Sequence, residues 1–386
     1  MSGEMRVQHV FIVGSKGIPA NYGGFETFVD RLTELHSDNP HIKYHVACRA
    51  ESAREFTHHN AHCFGIPVPS IGSAGAVYYD LAAMRYCLNY IRTERISGAI
   101  VYLLACRIGP FLGAFSKELR RLGARLFVNP DGHEWKRAKW NAAIRRYWRL
   151  SEKLTVKHAD VVVCDSQVIQ GYIADEYRDY RPKTAYVAYG ADTARAVCDR
   201  STVDEWYAQH SLGEGDYYLL VGRFVPENNL ETIISEFMRS SSRRRCVVVA
   251  NVARNSFYAK LAKATGFESD SRIRFVGPLY DQQLLRKVRE NAYAYIHGHE
   301  VGGTNPSLLE ALASTQVNLV LDVSFNREVA NDGALYFTKK AGSLQALIDA
   351  VDVRYPEMGD EARRQIEGRY TWELIGKQYE QLFGDG

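Results

Sequence analysis

The chain has 386 residues and a formal net charge of +3, from 48 Lys and Arg against 45 Asp and Glu. That length is more than one core usually organises, so two domains are expected. The small net charge argues against bulk nucleic-acid binding. A hydrophobic share of 46% with 24% charged residues is ordinary for a soluble globular protein.

The seven cysteines, Cys48, Cys63, Cys87, Cys106, Cys164, Cys198 and Cys246, are scattered and form no Cys-x-x-Cys pair. This usage suggests reduced thiols in a cytoplasm, not a disulfide or zinc framework. The first residues are polar and the apolar run at 10–13 is too short for a secretory leader. The longest apolar run, 99–106, is far below the roughly 20 residues that span a bilayer. The expectation is a cytoplasmic protein, bound to a membrane surface at most.

In chain order, apolar runs at 7–13, 44–48, 99–104, 126–129, 161–164 and 184–188 read as strands. Between them, 25–36, 78–92, 110–122 and 140–158 have helical spacing. A second series follows, with strands at 217–224, 246–250, 273–276, 294–297 and 317–321. Its helices are expected at 230–238, 257–264, 281–291 and 307–314, and a last helix at 372–383. The polar stretch 192–216 breaks the rhythm and is the expected domain boundary. Strands alternating with helices mean βαβ units and parallel sheets. The fold class is therefore α/β, two Rossmann-like doubly wound domains with ligands at the carboxyl ends of strands facing a cleft. We divide the chain at 1–195, 196–370 and a terminal helix, 371–386.

Four stretches carry chemistry. Gly302-Gly303-Thr304-Asn305-Pro306-Ser307-Leu308 is a glycine turn entering a helix. Asn305 suits an N-cap and Pro306 the first helical position. A helix N-terminus favours an anion, and Glu310, just over one turn inside, can accept hydrogen bonds from a sugar hydroxyl beyond it. A diphosphate joined to a ribose fits; an ordinary capped helix is the bland alternative. Gly14-Ser15-Lys16-Gly17-Ile18-Pro19-Ala20-Asn21-Tyr22-Gly23-Gly24-Phe25-Glu26 follows the first strand. It is neither a G-x-G-x-x-G fingerprint nor a Walker A loop, but it is long and glycine-rich for a plain turn. Arg223, after Gly222 at the end of a strand, can clamp a phosphate with its planar fork, or be a surface charge. Asn129-Pro130-Asp131-Gly132-His133-Glu134-Trp135 places Asp131 and His133 in a tight turn, open to acid–base work or to simple turn capping. The 12 histidines are dispersed, His297 and His299 lack an obvious third ligand, and no metal site is expected.

Together the glycine-rich loop, Gly222-Arg223 and the Gly302–Pro306 helix entry resemble the retaining GT-B glycosyltransferases of family 4. The resemblance covers nearly the whole chain. Within it, the 15–27, 129–137 and 302–306 stretches look like bacterial rhamnosyltransferases that move L-rhamnose from dTDP-L-rhamnose to a sugar on polyprenyl diphosphate in capsule or rhamnan assembly. The resemblance implies a retaining hexosyltransferase, a β-1,4-rhamnosyltransferase, with no cofactor beyond its nucleotide-sugar donor. It implies that Glu310 holds the ribose and Arg223 the diphosphate. Gly23, Gly24, Gly303, Thr304, Asn305, Ser307 and Leu308 would complete the donor site, and Tyr22, Gly24, Asp131 and His133 the acceptor site. Asp131, His133, Arg223 and Glu310 are the catalytic candidates. Two positions depart from the family. The first glutamate of its E-x7-E motif falls at Gly302, with Glu300 two residues early, and its lysine after the arginine is Asn228. Retention in this fold is explained by same-face attack, the departing phosphate taking the acceptor proton, so no general base is assigned.

A lipid-linked acceptor cannot leave the bilayer. Between Trp135 and Lys157, bases including Lys136, Arg137 and Lys139 accompany Trp135, Trp140 and Trp148. Lys136, Arg137, Lys139 and Trp140 are the expected contacts with an anionic membrane, placing the protein on the inner face of the plasma membrane. The alternative is that these tryptophans are core. Two competing functions remain: a nucleotide-sugar 2-epimerase of the same fold, or a nucleotide-sugar-binding regulator without activity. A family 4 transferase with another nucleotide-sugar donor is also open.

Overall fold

The computed structural model describes residues 7–20, 23–137 and 140–384. Two compact units divide the chain between Gly190 and Ala191, and the C-terminal segment from Trp372 returns to the first unit.

The first unit runs β1 (Gln8–Val13), α1 (Gly24–Leu35), β2 (Ile42–Ala50), β3 (Glu55–His58), β4 (Ala61–Pro67), α2 (Ala74–Thr93), β5 (Ile100–Leu104), α3 (Gly109–Arg121), β6 (Arg125–Asn129), α4 (Ala142–His158), β7 (Val161–Cys164), α5 (Gln167–Glu176) and β8 (Thr184–Tyr186). Among the described residues its sheet has the order β3-β4-β2-β1-β5-β6-β7-β8. Every pairing is parallel except β3 with β4. Central strands such as Ile100–Leu104 are buried at every residue, as a parallel sheet covered on both faces requires. Alternate residues serve the two faces. Phe11, Val13, Val101 and Leu103 pack with Met84, Cys87 and Leu112 of α2 and α3. Tyr102 faces the other way, onto Tyr379 and Phe383.

The second unit runs α6 (Arg200–His210), β9 (Tyr217–Val221), α7 (Leu230–Arg239), β10 (Arg245–Val249), α8 (Ser256–Thr265), β11 (Ile273–Gly277), α9 (Gln282–Glu290), β12 (Ala294–His297), α10 (Pro306–Ser314), β13 (Asn318–Leu321), α11 (Ser324–Ala330), β14 (Leu335–Phe337), α12 (Ser343–Val353) and α13 (Gly359–Arg369). Its parallel sheet has the order β11-β10-β9-β12-β13-β14 among the described residues. Tyr218, Leu220 and Val248 pack with Ile233, Ile234 and Phe237 on one face. Tyr217, Leu219, Val247 and Tyr295 pack with Trp206, Leu284, Val288 and Ala311 on the other. The chain closes with α14 (Trp372–Gly384), which belongs to the first unit. There Tyr379 meets Phe28 and Tyr102, Phe383 meets Phe127, and His36 reaches the Gly376 carbonyl at 3.1 Å.

The α/β class and doubly wound layering follow the hydrophobic pattern. The hairpin β3–β4 does not, for a physical reason. Its turn residues His59 and Asn60 both have positive φ, 45° and 57°, the geometry that Asn-Gly or Gly-Gly usually announces. The polar stretch 192–216 also holds α6, which buries only Val203, Trp206 and Tyr207. All seven cysteines are free, six of them buried and Cys198 half-buried. No described helix is long and apolar enough to cross a membrane.

Candidate functional site

The second unit gathers its candidates at the carboxyl end of β9. Asn305 caps α10, its side chain accepting the Ser307 N–H at 2.9 Å, and Pro306 opens the helix. Ser307 then turns its hydroxyl back to the sheet, toward the Val221 carbonyl at 3.2 Å and the Tyr295 hydroxyl at 2.9 Å. This seats the helix N-terminus two residues from Arg223. The amide of Leu308 bonds the Asn305 carbonyl at 3.0 Å. The amides of Ser307 and Leu308 therefore have partners inside the chain, which concentrates any backbone contact to a ligand on the preceding turn. That turn holds Gly302, with φ 134°, and the buried Gly303 and Thr304.

Arg223 is exposed and makes no ion pair among the described residues. Its loop is held by Asn228, which donates to the Arg223 carbonyl at 2.6 Å and meets His299 Nδ1 at 2.8 Å. Asn229 adds a bond to the Gly298 carbonyl at 2.8 Å. A Cβ at position 298 would strike the Asn228 backbone, so glycine is what lets the two loops close together. Asn228 is thus a staple between its own loop and the one at His299. Glu300 is engaged with Lys339.

Glu310 is not a free carboxylate. Arg289 on α9, only 3% exposed, holds it at 2.6 Å, while the Glu310 side chain stays about one-third exposed (34%). A buried guanidinium fixes one carboxylate oxygen and so orients the group. The sequence signal for Arg289 was its place on the buried stripe of α9 beside Leu284, Leu285 and Val288, where a charge demands a partner.

In the first unit the glycine loop, Arg107 and the Asp131 turn share the carboxyl edge of β1, β5 and β6. Gly14 has φ 105° and leaves no room for a Cβ against the Leu104 carbonyl. Arg107 donates to the Gly14 carbonyl at 2.9 Å and pairs with buried Asp80 at 3.2 Å. The Ala105 amide reaches the Asn129 carbonyl at 2.9 Å. Glu26 accepts the Lys16 amide at 2.7 Å, and Gly23 precedes α1 with φ 132° beside that carboxylate. Gly24 is exposed at the start of the helix. Tyr22 lies outside the described residues.

Asp131, Gly132 and His133 all have positive φ, 57°, 57° and 56°. Two non-glycine residues held there mark a backbone shaped for something besides chain reversal. Asn129 supports the turn, accepting the Asp131 amide at 2.8 Å. The His133 ring lies 4.2 Å from that of Tyr172. Burial, helped by Lys136, lowers its pKa to about 4, so it is a neutral donor and acceptor at neutral pH.

Two sequence expectations are corrected. Arg137 does not face a membrane: it is 8% exposed, paired with Glu134 and 4.0 Å from Asp131. Its charge is needed inside, between two carboxylates. Trp140 is half-buried, donating to Glu134 at 3.0 Å with its ring 6.2 Å from Trp148. Lys136 is exposed, its ammonium 5.3 Å from the Trp135 ring; Lys139 lies outside the described residues. The expectation of no metal-ligand cluster also needs correction, because Asp30, His58 and His59 converge within 4.8 Å.

A family model described as a domain of unknown function, DUF1972, matches residues 7–192. Comparison with curated proteins gives no match. Among solved structures, sucrose-phosphate synthase from Thermosynechococcus elongatus superposes with a TM-score of 0.75 at 16% identity, covering 98% of this chain and 100% of that one. HepE from Anabaena in complex with UDP gives 0.72 at 13% identity, covering 98% and 100%. A UDP-forming α,α-trehalose-phosphate synthase from Burkholderia vietnamiensis gives 0.70 at 12%, covering 98% and 100%. The chain has the GT-B glycosyltransferase fold.

Proposed function

We propose that the protein is a retaining glycosyltransferase that takes a nucleoside-diphosphate sugar as donor. The observation that carries this reading is the Glu310–Arg289 pair, one turn inside a capped helix seated beside Arg223, in a GT-B chain. Glu310 accepts hydrogen bonds from ribose hydroxyls, its orientation held by Arg289. The positive end of α10 and Arg223 stabilise the charge that grows on the departing diphosphate. The acceptor oxygen attacks on the face the diphosphate leaves, and the diphosphate takes its proton. Asp131 and neutral His133 orient the acceptor hydroxyl.

The donor is dTDP-L-rhamnose and the acceptor a sugar on polyprenyl diphosphate, GlcNAc or Glc, reached at an anionic membrane on its cytoplasmic side. This rests on the 15–27, 129–137 and 302–306 motifs. A second reading, a UDP-sugar donor, is favoured by the UDP named with two of the structural neighbours. Incubation with lipid-linked GlcNAc or Glc and a panel of dTDP- and UDP-sugars, read as nucleoside diphosphate released, decides. Release from dTDP-rhamnose dependent on acceptor is expected. Release from UDP-sugars alone transfers the reading to the second donor, and none from any donor overturns both.

A further inference from the structure

The three residues that converge on one another in the first unit come from separate elements. Asp30 lies on α1, His58 ends β3, and His59 stands in the turn to β4. His58 Nε2 is 2.8 Å from Asp30 Oδ1, and His59 Nε2 is 3.5 Å from the same oxygen. The ligand atoms all lie within 4.8 Å of one another, and the side chains are 26%, 31% and 20% exposed for His58, His59 and Asp30. Tetrahedral zinc, with bonds of about 2.0–2.1 Å, holds neighbouring ligand atoms about 3.3 Å apart. The two observed separations bracket that value. The second carboxylate oxygen is also spoken for: Asp30 Oδ2 accepts the Ala20 amide at 2.8 Å. An outer hydrogen bond of this kind orients a ligating carboxylate.

We propose that Asp30, His58 and His59 form a zinc site. Two imidazole nitrogens and one carboxylate oxygen suit Zn²⁺ and not Mg²⁺ or Ca²⁺, which take oxygen ligands. Three protein ligands leave a fourth position for water. None of the three ligands is among the residues assigned to sugar transfer, and the cation joins three pieces of chain: helix α1, the β3–β4 hairpin and, through Asp30 Oδ2, the glycine loop at Ala20. The backbone supports this role. His59 has φ 45° in a turn where Asn or Gly is the ordinary choice, and that conformation brings two consecutive histidine rings within 4.0 Å of each other.

The test is Zn²⁺ titration of the chelator-treated full chain by calorimetry, with thermal melts and the visible spectrum of the Co²⁺ form as second readouts. Wild type binds one Zn²⁺ per chain and melts at a higher temperature with it. His59→Asn keeps a residue that tolerates positive φ, so it folds, and it retains all seven cysteines and the other histidines. It binds at least about ten-fold more weakly, as does Asp30→Asn, and each loses the Co²⁺ spectrum of the wild type. Failure of the wild type to bind one equivalent, or binding by folded His59→Asn with wild-type affinity and spectrum, overturns the proposal and leaves a hydrogen-bonded cluster.

Discussion

Glu310 and Arg289 are the residues whose meaning changes most between one dimension and three. In the sequence Glu310 is a lone acid one turn into a helix, and its removal would be harmless to the fold. In the structure its loss strands a guanidinium that is 3% exposed. Breaking a buried pair from one side costs about 3–5 kcal/mol, and the partial exposure of Glu310 puts this case at the low end. Glu310→Ala is therefore expected to melt earlier than wild type as well as to lose transfer. Glu310→Gln keeps an acceptor for Arg289 and isolates the charge. It should retain most stability while lowering kcat/KM by about 1.5–3 kcal/mol, the worth of a hydrogen bond to a charged group. Wild-type turnover by folded Glu310→Gln would remove the ribose role. Arg223 is the opposite case, exposed and unpaired among the described residues. Arg223→Lys keeps the charge and loses the fork, so thermal stability should hold while kcat/KM falls; unchanged kinetics would reduce Arg223 to a surface charge.

The element most easily read was α10, because cap, proline and glycines are local chemistry. Asn305→Ala should cost about 1 kcal/mol of stability in a denaturant titration. It should also weaken nucleotide binding, since the turn before the helix loses its anchor. The element misread in part was α4 with the segment before it. A run of bases looks alike on paper whichever way each one points. Packing divides it: Arg137 goes inside to Glu134 and Asp131, while Arg145 and Arg146 are exposed on α4 and Leu150 is 50% exposed. Reversing Lys136, Arg145 and Arg146 to Glu should weaken pelleting with anionic liposomes and leave the fold intact, with high salt acting the same way on wild type. Arg137→Glu should destabilise the protein instead, because it places three carboxylates together. If the triple variant pellets like wild type, the membrane role of this face is lost.

At the scale of the whole molecule, the most deeply buried histidine of each unit among the described residues makes acid stability a global property. His45 is 2% exposed and bonded to His9 at 2.9 Å; His297 is 4% exposed at the end of β12. Burial, with neighbouring histidines adding to it, lowers each pKa to about 3. Above an unfolded value of about 6.5 both states are neutral and the groups contribute no slope. Below it the unfolded chain takes a proton that the folded chain refuses until about pH 3. Stability should thus fall with pH across that window, by up to about 1.4 kcal/mol per unit for each histidine. Urea titrations between pH 7 and pH 4 should show the fall, and His45→Gln should flatten it; an equal slope in that variant would exclude His45 as a cause.

By itself the sequence determined the α/β class, the alternation of strands and helices in two series, and the capped helix at Asn305. Each of these is written in local periodicity or in turn chemistry within a few residues. What only the tertiary structure decided is pairing across distance. Arg289 meets Glu310 from another helix, Asn228 staples its loop to His299, and Arg137 turns inward. Asp30 finds two histidines 28 and 29 residues away, across a hairpin whose turn carries no glycine. The physical reason is the same each time. Hydrophobic spacing specifies which face of an element is buried, whereas a charged or ligating side chain is placed by whichever partner the packed elements bring to it.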